Sequence, residues 1–123
     1  MKILLAEDDA NIVIIAKITL EKIGHHQVTV ATDGKITFEI ASQNPFDLIL
    51  LDGMVPHMDG VTVFKKLKEL HIKTPVIFLS AKSQEADIKE VLDLGAIGYI
   101  QKPFEPKTLN DQILKFMKAR ASA

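Results

Sequence analysis

Three acids, Glu7, Asp8 and Asp9, follow the apolar run Ile3-Leu4-Leu5-Ala6, and a fourth, Asp52, follows Leu48-Ile49-Leu50-Leu51. Carboxylates gathered at the ends of buried strands repel one another. At about 4 Å and an effective dielectric near 20, one pair costs roughly 4 kcal/mol. A proton or a cation must relieve that repulsion. Ser80 ends a third apolar run, Val76-Ile77-Phe78-Leu79, and Lys102 follows a fourth, Ile97 to Ile100. Acids, a hydroxyl and an amine at four strand ends make a candidate site.

Mg²⁺ suits such a donor set: it takes oxygen ligands, keeps several waters and commonly uses one or two carboxylates plus phosphate oxygens. Asp8 and Asp52 are the candidate direct ligands, the backbone carbonyl of Met54 is a third, and Glu7 acts through water. Asp52 can act as a nucleophile toward phosphorus if the charge of its target is offset, which a divalent cation does. Phosphoryl transfer needs its equatorial oxygens neutralised and donors in place. Ser80 offers its hydroxyl, Ala81 the following amide, and Lys102 a mobile point charge.

The elements that must hold these groups alternate along the chain. Strand candidates are 2–6, 27–31, 47–51, 75–80 and 97–101; helical spacing marks 10–23, 34–43, 60–70, 84–94 and 106–119. The short runs are rich in Ile, Leu and Val without polar alternation, which suits strands covered on both faces in a parallel sheet. Gly95 is a candidate left-handed helix cap, and Pro106 falls near a helix start. Asp9 and Asp59 precede helices and read as their caps. Five βα units in a row predict a doubly wound α/β fold. Ligands of such sheets bind beyond the carboxyl ends of the strands, where the strand order reverses. That rule gathers the acids, Ser80 and Lys102 on one edge.

Composition sets the class. The 123 residues suit one domain spanning 1–123, with 47% hydrophobic and 25% charged residues, a globular rather than disordered balance. A net charge of −1 gives no general attraction to nucleic acid or to a membrane surface. The absence of cysteine excludes disulfides and thiolate metal sites and fits a reducing cytoplasm. No apolar stretch reaches the roughly 18 residues that span a bilayer.

The stretch from Asp47 through Asp52, Gly53, Met54, Val55 and Pro56 to Asp59 and Gly60 resembles the phosphoacceptor motif of response-regulator receiver domains. Ile3 to Asp9 resembles their first strand with its acid pair, and Pro75 to Ala81 their fourth strand with the hydroxyl residue. Gly95 to Phe104 resembles their fifth strand and Lys-Pro motif. The likeness covers essentially the whole chain, in order and with the family's spacings.

This resemblance implies a flavodoxin-like, chemotaxis-regulator-like fold with five helices and strand order 2-1-3-4-5. It implies phosphorylation of Asp52 by a sensor histidine kinase or a histidine phosphotransfer protein, with Mg²⁺ held by Glu7 and Asp8. Lys102 and Ser80 would contact the phosphoryl group, and Tyr99 would be the aromatic switch that turns inward as Ser80 moves. The Lys102–Pro103 bond is expected to be cis. The surface of the fourth helix, fifth strand and fifth helix would be read by a downstream protein or by an effector domain outside this chain. Such a protein is a switch and not an enzyme.

Met54 and Lys82 occupy the positions that tune phosphoryl lifetime in this family, and a Met gives a water no hydrogen-bond partner, so slow autodephosphorylation is expected. The loop also resembles the branch with winged-helix DNA-binding domains, but Ile97 and Gly98 stand where that branch has two acids for a salt-bridged dimer. A phosphatase or mutase with an aspartyl-phosphate intermediate would need a general acid at Met54, which cannot transfer a proton. A flavin-binding module on the same fold would want a Ser/Thr/Gly-rich phosphate loop after the first strand, where the acids would repel the phosphate instead. The four histidines, 25, 26, 57 and 71, read as surface residues. The first helix holds more apolar residues than one face can bury, so Ile14 or Ile15 is a candidate docking point for the phosphodonor.

Overall fold

The computed structural model describes residues 1–81 and 85–122, with the side chains of 85–87 and 122 left aside. Lys82 therefore lies outside the described residues. Five strands, β1 (Lys2–Ala6), β2 (Gln27–Ala31), β3 (Leu48–Asp52), β4 (Val76–Ser80) and β5 (Gly98–Gln101), alternate with five helices. The helices are α1 (Ala10–Lys22), α2 (Gly34–Gln43), α3 (Gly60–Glu69), α4 (Glu85–Asp93) and α5 (Pro106–Ser122). The strands form one sheet in the order β2-β1-β3-β4-β5, and every pairing is parallel. Each expected element is present. Asp52 proves to be the last residue of β3 rather than the first beyond it, and α5 runs three residues past the expected end.

The period-two geometry of a strand sends alternate side chains to opposite faces. On one face Leu4, Ala6, Ile49, Leu51, Val76 and Phe78 pack against α2, α3 and α4, where Phe64 meets Phe78 edge-on at 5.7 Å. On the other, Ile3, Leu5, Leu48, Leu50, Ile77 and Leu79 pack against α1 and α5 through Ala16, Leu20, Leu109 and Ile113. Every residue of β3 and β4 is buried, which is why these strands read as unbroken apolar runs.

Caps set the helix starts at the functional edge. Asp9 accepts the amides of Asn11 and Ile12 at 2.9 and 3.3 Å, and Asp59 accepts that of Thr62 at 2.8 Å. Asp33, which the sequence reading passed over, caps α2 through Ile36 at 2.7 Å. Gly95, with φ +111°, ends α4 in the left-handed conformation.

His26 corrects the expectation of a surface residue. It is buried, with Nε2 2.8 Å from Asn110 Oδ1 of α5 and Nδ1 3.0 Å from the Met1 amine. His25, His57 and His71 are exposed, and all three have φ between +56° and +70°.

Candidate functional site

Strand register builds the site. Ala6 of β1 pairs with Leu51 of β3, so the next residues on the two strands, Glu7 and Asp52, come up side by side. Ser80 of β4 pairs with Gln101 of β5, and the Lys102 amide donates to the Ser80 carbonyl at 2.8 Å. The Gly53 amide donates to the Leu79 carbonyl at 3.2 Å, carrying the β3–β4 ladder one residue past Asp52. All four strand ends are thus pinned by backbone bonds before any side chain is considered.

The side chains then converge. Lys102 Nζ lies 2.9 Å from Asp52 Oδ2 and 3.2 and 3.1 Å from the two Glu7 oxygens. The Met54 amide donates to Asp52 Oδ1 at 3.0 Å, and the Asp9 amide to Glu7 Oε1 at 3.3 Å. Glu7 has no exposed surface and Asp52 only 2%. Asp8 is exposed, yet one oxygen from each of Glu7, Asp8 and Asp52 falls within 4.8 Å of the others. Gly60, the first residue of α3, must be glycine for this packing: a Cβ there would stand 2.5 Å from the Asp52 carbonyl oxygen. The Lys102–Pro103 bond is cis.

Charge in this cluster is unbalanced. Burial, then the neighbouring Asp52 carboxylate, pushes the Glu7 pKa up to about 7, only partly opposed by Lys102. For Lys102, burial disfavours the ammonium, but its hydrogen bonds to Asp52 and Glu7 and their negative field outweigh that and raise its pKa. A hard divalent cation fits this donor set: all the side-chain ligands are oxygens, and their surplus negative charge is what a cation relieves.

Beside the acids, a cavity of about 360 Å³ is lined by Gly53, Met54, Lys65, Ser80 and Tyr99 among others. Tyr99 is half-buried and pairs in register with Phe78, so it stands at the wall of this cavity. On the other flank a groove of about 530 Å³ runs between α1 and the segment after β5, lined by Ile12, Ile15, Lys102, Pro103, Phe104 and Pro106 among others. Ile15 lines it and Ile14 does not. Sequence reasoning placed Phe104 in the Lys-Pro motif and Pro106 at a helix start but assigned neither to a groove; the signal was an apolar residue between two prolines directly after the site lysine.

A doubly wound sheet with an acid triad, a lysine and a hydroxyl at its switch edge defines a class of phosphorylatable signalling domains. Residues 3–114 match the response regulator receiver domain family, and the chain belongs to it. It is a receiver domain of two-component response regulators. It is 36% identical over 117 residues to the alkaline phosphatase synthesis transcriptional regulatory protein PhoP of Bacillus subtilis, covering 95% of this chain and 48% of that one. It is 40% identical over 116 residues to the transcriptional regulatory protein CrdR of Helicobacter pylori, covering 94% and 54%. The chain thus spans about half the length of these relatives. Among solved structures, the receiver domain of the Francisella response regulator 1452 superposes with a TM-score of 0.88 at 35% identity, covering 97% of this chain and 98% of that one. The chemotaxis protein CheY4 of Vibrio cholerae gives 0.85 at 28% identity, covering 94% and 97%. No helix among the described residues is long and apolar enough to cross a membrane.

Proposed function

We propose that this chain, as a single receiver domain over 1–123, accepts a phosphoryl group on Asp52 in a magnesium-dependent reaction. The observation that carries the reading is Asp52 itself. Its carboxylate ends the central strand with one oxygen on Lys102 at 2.9 Å and two further acids within ligand reach of a common cation. The donor is a phosphohistidine on a sensor histidine kinase or a histidine phosphotransfer protein. A P–O bond to Asp52 forms as the donor's P–N bond breaks.

Asp8, Asp52 and the Met54 carbonyl would hold Mg²⁺ directly, with Glu7 acting through water. Bound there, the ion supplies positive charge against the phosphoryl oxygens. Lys102 already sits on Asp52 and needs only a small shift to follow the oxygens of the group that arrives. Ser80 meets another of those oxygens and couples the event to Tyr99, whose cavity adjoins both. The added charge of about −1.5 to −2 biases a two-state surface on α4, β5 and α5. A downstream protein or an effector domain reads that surface; this domain has no direct contact with nucleic acid or membrane, and it acts in the cytoplasm. Met54 offers a water no strong acceptor, so the acyl phosphate of the isolated domain is long-lived.

Incubation with acetyl phosphate and Mg²⁺, followed by intact-mass measurement, tests the assignment. One phosphoryl group on the parent and none on Asp52→Ala is expected; no gain on the parent overturns the reading. Ile15 is 44% exposed at the groove beside Lys102, and phosphodonor docking is assigned to it. Ile15→Ser should slow transfer from a phosphohistidine protein severalfold while leaving the rate from acetyl phosphate alone, and equal slowing with both donors refutes the docking role.

A further inference from the structure

The backbone of Met54 belongs to the site, while its thioether enters the chemistry above only as a poor hydrogen-bond acceptor. At 62% accessibility it is the most exposed large apolar side chain among the described residues. Its amide is tied to Asp52 Oδ1 at 3.0 Å, and it lines the cavity shared by Gly53, Ser80 and Tyr99. The chain has four methionines and no cysteine. Met1, Met58 and Met117 are each partly buried, and Met58 and Met117 pack against the two cores. Among the described residues Met54 therefore carries the one sulfur on an exposed residue, two positions from Asp52 and on the wall of the cavity beside it.

We propose that Met54 is a peroxide-sensitive modification site whose oxidation shortens the life of the phosphoryl group on Asp52, an inference that rests on the reading of Asp52 as phosphoacceptor. The sulfur attacks the outer oxygen of hydrogen peroxide or an alkyl hydroperoxide. An S–O bond forms as the O–O bond breaks, the departing oxygen keeps the electron pair and takes up the proton, and water or an alcohol leaves. Sulfur loses two electrons, the peroxide gains them, and methionine sulfoxide results, which sulfoxide reductases return to the thioether.

The physical consequence lies in hydrogen bonding. A thioether is a weak acceptor, whereas a sulfoxide oxygen is a strong one. On a flexible side chain two residues beyond Asp52, that oxygen can accept a hydrogen bond from a water and hold the water's lone pair toward phosphorus. A P–O bond to that water forms as the P–O bond to Asp52 breaks, so that inorganic phosphate, keeping the water's protons, leaves and the Asp52 carboxylate is restored. Positioning a nucleophile in this way removes part of the entropic barrier to attack. Oxidation thereby converts a slow switch into a fast one without touching Asp52, Lys102 or the acid pair.

The test compares the parent, Met54→Leu and Met54→Gln, each measured against itself with and without hydrogen peroxide. After peroxide treatment and removal, each is phosphorylated with acetyl phosphate and Mg²⁺, freed of donor, and followed by intact mass for loss of the phosphoryl group. Peptide mapping ranks oxygen gain at Met54, Met58 and Met117. Expected are oxidation of Met54 first, and loss roughly tenfold faster in the oxidised parent. Met54→Leu should be indifferent to peroxide, and Met54→Gln, which carries an acceptor without oxidation, should lose its label faster than Met54→Leu. An unchanged lifetime in the oxidised parent, an equal effect of peroxide on Met54→Leu, or earlier oxidation of Met58 or Met117 overturns the inference. A parent that takes no phosphoryl group even without peroxide sinks the Asp52 reading instead, and the lifetime claim with it, while the mapping still judges Met54 as the oxidised residue.

Discussion

Glu7 concentrates the electrostatic tension of this protein. It is fully buried beside Asp52 and shares one ammonium, that of Lys102, with it. In the metal-free protein an unfolded chain releases the Glu7 proton near the ordinary 4.5, whereas the folded chain keeps it until about 7. Between those values the folded state binds the more protons, so ionising Glu7 lowers stability as pH rises. That destabilisation is absent below about pH 4.5 and complete above about pH 7. Glu7→Gln keeps the shape and an oxygen acceptor but has nothing to ionise. Urea midpoints of metal-free protein at pH 5 and pH 8 should therefore fall more in the parent than in the variant; parallel falls would contradict the assignment. The same reasoning makes added Mg²⁺ more stabilising at pH 8 than at pH 5.

At the scale of elements, α4 is held at its C-terminal end by a residue of another helix. The Gly95 and Ala96 amides return to the Leu92 and Val91 carbonyls, each at 3.0 Å, closing the helix. The Leu94 carbonyl takes the ammonium of Lys68 from α3, whose Nζ also stands 5.4 Å over the Phe64 ring. A cation at a helix C-terminus is favourable, and here it fastens one end of a helix belonging to the proposed output surface. Lys68→Met retains the apolar stem and removes the charge. Its expected cost is about 1 kcal/mol in denaturant unfolding, with faster hydrogen exchange at Gly95 and Ala96. Unaltered exchange there would show that the contact fastens nothing.

For the molecule as a whole, the acids lie at the ends of β1 and β3, so a cation bound there ties neighbouring strands of the core together. A ligand that binds only the folded state stabilises by mass action, about 2.7 kcal/mol at a concentration 100-fold above its Kd. Thermal unfolding should shift upward with Mg²⁺ in the parent and barely in Asp8→Asn, whose side chain is exposed and outside the core. A variant that responds like the parent would remove Asp8 from the ligand set.

Much of this was legible in the chain because it depends on local rules. Unbroken apolar runs announced strands covered on both faces, and acids just ahead of helical spacing announced the caps at Asp9 and Asp59. Polar residues at the ends of those runs announced which groups would share one edge of the sheet and form the candidate site, since a parallel sheet gathers its strand ends there. The tertiary structure alone decided which groups touch. Lys102 meets Glu7 across 95 positions of sequence, His26 meets Asn110 across 84, and Lys68 meets Leu94 across 26. Strand and helix periodicities fix which way a side chain faces along its own element, but contacts between distant elements follow from sheet register and helix packing, which no local pattern encodes.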